Sequence, residues 1–117
     1  QPLLAKGVLH EEDADALARL GYDGLVVSNH GGRTFDAAPA GLTRLAPLAR
    51  ATGKRMTILF DGGVRRGSDV AKSLALGASA VLVGRPYVAA LALEGAHGVA
   101  RCLRLLRDEY AAVAALL

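Results

Sequence analysis

The placement of glycines and charged residues relative to the apolar runs narrows the possible folds more than any other feature of this chain. Short β-rich runs at residues 3–5, 24–27, 57–60 and 80–83 each end in a polar or glycine cluster. These clusters are Lys6-Gly7, Ser28-Asn29-His30-Gly31-Gly32-Arg33, Asp61-Gly62-Gly63 and Gly84-Arg85-Pro86. The segments between the runs have helical spacing. Residues 11–20 carry an apolar stripe of Ala14, Leu17, Ala18 and Leu20 behind an acidic first turn, where the helix dipole favours negative charge, and Gly21 ends them. Residues 42–52 turn Leu42, Leu45, Leu48 and Ala49 inward; Pro47 suits only a first turn, so the regular helix is expected to start late. Ser68 is expected to cap a helix over 69–76 that Gly77 stops. The remainder reads as a short helical piece after Pro86, a break near Gly95, and a long amphipathic helix from about Gly98 to Leu117.

Strands alternating with helices imply right-handed parallel βα units, an α/β fold. None of the polar clusters follows a helix. A (β/α) barrel builds its site from the loops at the strand C-terminal ends and commonly holds phosphate after its last two strands. Doubly wound sheets obey a similar rule, so this asymmetry leaves both architectures open. With no linker and no low-complexity segment, residues 1–117 read as one domain with a modest core.

Composition excludes several classes. Apolar residues make up 52% of the chain, too many for a disordered one. The net charge of +3 comes from scattered basic residues, and without Trp there is no base-stacking platform, so no nucleic acid is expected. No apolar run is long enough for a membrane segment, and the start Gln1-Pro2-Leu3-Leu4 lacks a basic n-region, so no signal peptide is expected. The single Cys102 suits a reducing, cytoplasmic setting and packing as a small apolar group. No metal site is expected. His10 reads as a helix cap, Asp36 and His97 as structural residues, and the last helix's arginines as a solvated face.

Two kinds of loop carry chemistry. His30 and Arg33 lie three residues apart, an imidazole that takes a proton near neutral pH and a planar fork that matches a carboxylate. The pair alone is moderately specific, because a surface turn with an incidental histidine looks the same. Asp61-Gly62-Gly63-Val64-Arg65-Arg66-Gly67-Ser68 is a glycine-rich turn feeding a helix, where backbone N–H groups and Arg65 or Arg66 suit a phosphate. Gly84-Arg85-Pro86 is a second such turn. Either alone is commonly an ordinary loop; two after successive strands are much less so.

The ordered set Lys6-Gly7-Val8-Leu9, Val27-Ser28-Asn29-His30-Gly31-Gly32-Arg33, Asp61-Gly62-Gly63-Val64-Arg65-Arg66-Gly67 and Val83-Gly84-Arg85-Pro86 resembles the FMN-dependent α-hydroxy-acid dehydrogenases and oxidases, the family of glycolate oxidase, lactate oxidase and mandelate dehydrogenase. The tail Leu106-Arg107-Asp108-Glu109 is similar to that family's last helix. The resemblance implies the C-terminal half, about the end of strand five through helix eight, of a TIM (β/α)8 barrel, with FMN as cofactor. It makes His30 the catalytic base and Arg33 the partner of the substrate carboxylate. Lys6 matches the lysine beside the flavin N1 and O2, and Ser28 a contact to the flavin ring. Asp61, Gly62, Gly63, Val64 and Arg65 match the segment around the ribityl chain and phosphate, and Gly84 and Arg85 the second phosphate loop.

The expected activity is oxidation of a small L-2-hydroxy acid, of lactate or glycolate type, to the 2-oxo acid. The alternative is an inactive or partner-dependent half barrel that binds FMN or phosphate without turnover. A phosphate-binding barrel of the IMP-dehydrogenase kind would account for the phosphate turns but not for the histidine–arginine pair. The tyrosines near the substrate and the aspartate that orients the base belong, in the family, to the other half. The chain is therefore expected to be a fragment, or to need the N-terminal half barrel or self-association; full-length members are often tetrameric. Substrate identity and electron acceptor are not legible in these residues.

Overall fold

Residues 1–116 are described by a computed structural model; the expected end of the last helix, Leu117, lies outside the described residues. Four βα units follow one another: β1 (Leu4–Val8), α1 (Glu11–Arg19), β2 (Gly24–Val27), α2 (Gly41–Thr52), β3 (Thr57–Asp61), α3 (Gly67–Ala75), β4 (Ala80–Leu82) and α4 (Arg85–Ala114). The strands form one parallel sheet in the order β1-β2-β3-β4. Neighbouring strands are consecutive in sequence and the order never reverses. With right-handed crossovers this puts every helix on one face. A doubly wound sheet needs a reversal, so the segment is barrel-like.

Lateral register assigns the two faces. Leu25 lies beside Ile58, Val27 beside Phe60, and Phe60 beside Val81. Leu25, Val27, Ile58 and Phe60 are buried with Leu45 and Leu48 of α2, and this is the core. The opposite face carries Leu4, Lys6, Val26, Leu59, Asp61 and Leu82. No described helix packs there, and Leu4 and Leu82 stay 39% and 38% exposed. Parallel sheets normally have both faces covered.

Local expectations hold with three corrections. β1 is a whole strand of five residues rather than the end of one, and it carries a register shift between Lys6 and Val8. α2 runs through Pro47 without a late start, because fully buried Leu45 and Leu48 on either side anchor it despite the lost backbone donor. Ser68 does not cap α3. The Asp69 carboxylate instead reaches back to accept from the Arg65 and Arg66 N–H groups at 2.9 and 3.0 Å, and Glu109 of α4 accepts from the Gly67 N–H at 2.7 Å. The break expected near Gly95 is present: α4 is two helical pieces joined at Glu94 and Gly95, whose backbone is not helical, with Gly95 at φ +58. His10 does cap α1, its Nδ1 accepting from the Glu12 N–H.

Candidate active site

Lys6 lies in the middle of β1, just before its register shift, and every other expected site residue lies at the C-terminal end of a strand or in the loop that follows it. β1 delivers Lys6, β2 runs into Ser28 and the 3-10 turn His30–Gly32, β3 ends at Asp61, and β4 leads to Gly84 and Arg85. Sequence positions 55 residues apart therefore meet: Lys6 Nζ lies 2.9 Å from an Asp61 oxygen.

Ser28 is the hub of this cluster. Its hydroxyl donates to Asp61 Oδ1 at 2.5 Å, and accepts from Lys6 Nζ at 2.8 Å and from the His30 backbone N–H at 3.0 Å. Ser28 is fully buried. Its hydrogen bonds orient Lys6 and Asp61 and pin the start of the histidine turn. Partial burial pushes the Asp61 carboxyl upward, but hydrogen bonds from Ser28 and Lys6 and the positive charges of Lys6 and His30 outweigh it and hold the group below the ordinary carboxylate value.

The histidine turn is conformationally exceptional. His30 has φ +55, the single non-glycine residue with positive φ among the described residues. Such backbone is costly for a side chain unless its surroundings hold it. Asn29 Oδ1 accepts from the Gly31 N–H at 3.0 Å and Ser28 accepts from His30, so both ends are tied. His30 and Arg33 are exposed at the rim. No described carboxylate bonds the His30 imidazole or pairs with Arg33; Asp36 contacts neither.

Lys6, His30, Arg33, Asp61, Arg65 and Arg85 surround one open cavity of about 400 Å³ with the Gly62-Gly63 and Gly84 turns. Gly62 and Gly63 have φ +116 and +78, and a Cβ built on Gly63 or Gly84 meets nothing within 4 Å. Bare backbone turns flanked by two guanidinium groups fit a phosphate monoester, and the ammonium of Lys6 sits farther along the same cavity; this donor set fits FMN. The N-terminus of α3 does not contribute, because Asp69 and Glu109 already occupy it. Of the two arginines left open by the sequence, Arg65 lines the cavity and Arg66 does not. Leu82, Tyr87 and Val88 also line it; nothing in their local sequence marked them, since only the β4–α4 turn brings them to this rim. Among the described residues no cluster suited to a metal ion occurs, and no helix is long and apolar enough to cross a membrane.

Comparison with known proteins places this geometry. The family model described as FMN-dependent dehydrogenase matches residues 1–117. The chain is 48% identical over 115 residues to a peroxisomal (S)-2-hydroxyacid oxidase, GLO3, of Arabidopsis thaliana, covering 98% of the chain and 32% of that protein. It is 56% identical over 108 residues to an L-lactate oxidase of Alicycliphilus denitrificans, covering 92% of the chain and 30% of the relative. A crystal structure of mandelate oxidase with (S)-2-phenylpropionate superposes with a TM-score of 0.91 at 49% identity, over 93% of this chain and 33% of that one. The chain thus spans about a third of the length of the relatives it matches.

Proposed function

The chain belongs to the FMN-dependent dehydrogenase family, and from that membership we propose that it supplies the base, the carboxylate clamp and the cofactor phosphate loops for oxidation of a small L-2-hydroxy acid, of lactate or glycolate type, to the 2-oxo acid. The observation that carries this reading is that His30 and Arg33 share one cavity with Lys6, Asp61 and the two glycine–arginine turns. The names of the similar proteins, which include lactate, glycolate, 2-hydroxyacid and mandelate oxidases, favour the same substrate class.

Such an oxidation removes two electrons and two protons. FMN, when bound, supplies the electron acceptor. Arg33, free of any described carboxylate partner, holds the substrate carboxylate in a bidentate fork and fixes the register of the reacting carbon. His30 takes one of the protons. Lys6 holds a positive charge, steadied by Ser28 and Asp61, where negative charge grows during the reaction. Arg65 and Arg85 with the Gly62-Gly63 and Gly84 turns bind the cofactor phosphate.

We take the working enzyme to cover the open sheet face with further strands, from the rest of a longer chain or from association. The absence of a described carboxylate on the His30 imidazole supports this, and it is also what a binding module without turnover would have. The single free thiol suits a reducing compartment, the cytosol in our reading.

The deciding experiment is titration of FMN into the protein with flavin fluorescence as readout, followed by anaerobic addition of L-lactate or glycolate. Quenching and then substrate-driven bleaching are expected; quenching without bleaching selects the binding module. His30→Gln should keep the quenching and abolish bleaching. Arg33→Lys should weaken substrate binding at least tenfold, about the free energy of one charge-assisted hydrogen bond, because the planar fork is lost. A His30→Gln protein that still bleaches removes the base assignment.

A further inference from the structure

The geometry points to Gly7 as the positioning residue for the His30 imidazole, which it seats by having no side chain at a left-handed bend of β1. This rests on the proposed role of His30 as base. Gly7 follows Lys6 and has φ +97, at the point where the β1–β2 register shifts. A Cβ built on Gly7 would lie 2.6 Å from His30 Nε2, and 3.5 Å from both ring carbons that flank it. Real Cβ atoms do not approach a nitrogen that closely, so any larger residue must displace the ring or the strand.

Both backbones are tied, so the exposed imidazole is the group that must turn away. The histidine backbone is held at φ +55 by the Ser28 and Asn29 hydrogen bonds. On the other side, Lys6 is tied to Ser28 and Asp61, and Val8 is buried in the core. Two positive-φ residues, one in β1 and one in the turn after β2, thus meet through one ring nitrogen. The bulge in β1 then has a purpose: it brings a bare Cα under the imidazole edge while leaving Lys6 on the cavity side. Gly7 acts through His30, and touches no reacting atom itself.

Gly21 gives the matched control. It too has positive φ, +83, but a Cβ there meets nothing within 4 Å. Gly21→Ala therefore reports backbone strain alone, and Gly7→Ala reports strain plus collision.

The test is imidazole NMR on the protein labelled with 15N-histidine, whose three histidines are assigned with His30→Gln. Native protein should show a nuclear Overhauser contact between the Gly7 α-protons and the His30 ring. Gly7→Ala should move the His30 ring nitrogen resonances, and Gly21→Ala should leave them in place. In a double-mutant cycle, Gly7→Ala should lower the folding equilibrium constant roughly tenfold more in the native background than in His30→Ala, in the range typical of directly touching residues. Additive costs, or unmoved ring signals in Gly7→Ala, overturn the proposal. If Gly7→Ala does not fold, the native ring contact decides alone, and its absence overturns the proposal. Retained bleaching in His30→Gln would remove the base role yet leave the seat intact, so the two failures are distinguishable.

Discussion

At the scale of single residues, Asp61 shows how one carboxylate serves two purposes. It anchors Lys6 electrostatically, and through Ser28 it is linked to the backbone of His30. Its folded-state proton affinity lies below that of the free side chain, whose ordinary value is about 3.9. As pH falls the unfolded chain takes up this proton before the folded one does. The stability that Asp61 contributes is therefore present above about pH 4 and is lost as pH drops through the lower folded value. Asp61→Asn should flatten this acid limb, which comparison of urea midpoints at about pH 3 and pH 6 will reveal; an unchanged difference between the two pH values would count against the cluster. His30, Arg33 and the two glycine–arginine turns were legible from residue type and spacing, whereas Lys6 and Ser28 were marked only by the family resemblance. The burial of Ser28 was not legible, since it follows from Lys6 and Asp61 closing over it from two other strands.

Among elements, α4 packs chiefly against α3. Its Glu109 side chain receives the Gly67 N–H, and a Cβ on Gly67 would collide with the Tyr110 backbone nitrogen, so α3 begins pressed against α4. This contact fixes where α3 starts and hence how the Asp61–Arg66 loop leaves β3. Glu109→Ala should cost about 1 kcal/mol, the usual worth of an N-terminal helix acceptor, and should speed hydrogen exchange at the Gly67 amide. Unaltered exchange there would mean that Asp69 alone caps the helix. Sequence pattern suggested Ser68 for that task because serine is a common cap; a partner 42 residues away has no local signature. Pro47 misled in the same way, since propensity argued for a late helix start while burial of Leu45 and Leu48 decided otherwise.

For the whole molecule, the four-stranded parallel sheet has two unpaired edges, β1 and β4, and one face without helices. Leu4 and Leu82 stand exposed on that face, and Leu93 and Leu105 on α4 are 83% and 56% exposed. Open edges beside apolar surface favour association. The sedimentation coefficient of the chain should therefore rise with concentration, and Leu4→Lys should reduce that rise by placing charge on the open face at the β1 edge. A concentration-independent monomer would argue that the exposed face tolerates water as it is.

The sequence by itself determined the order of the elements, the rim on which the chemistry sits and the identity of the charged groups there. These follow from continuous β-rich runs, from helical spacing of 3.6 residues and from glycine clusters that mark strand ends, all of which are local properties of the chain. Tertiary structure alone decided that Lys6, Ser28 and Asp61 form one hydrogen-bonded unit, that Glu109 rather than Ser68 holds α3, and that Gly7 lies beneath the His30 ring. Each of these joins residues from different βα units, and such contacts exist only once parallel strands pair in register and bring distant positions side by side.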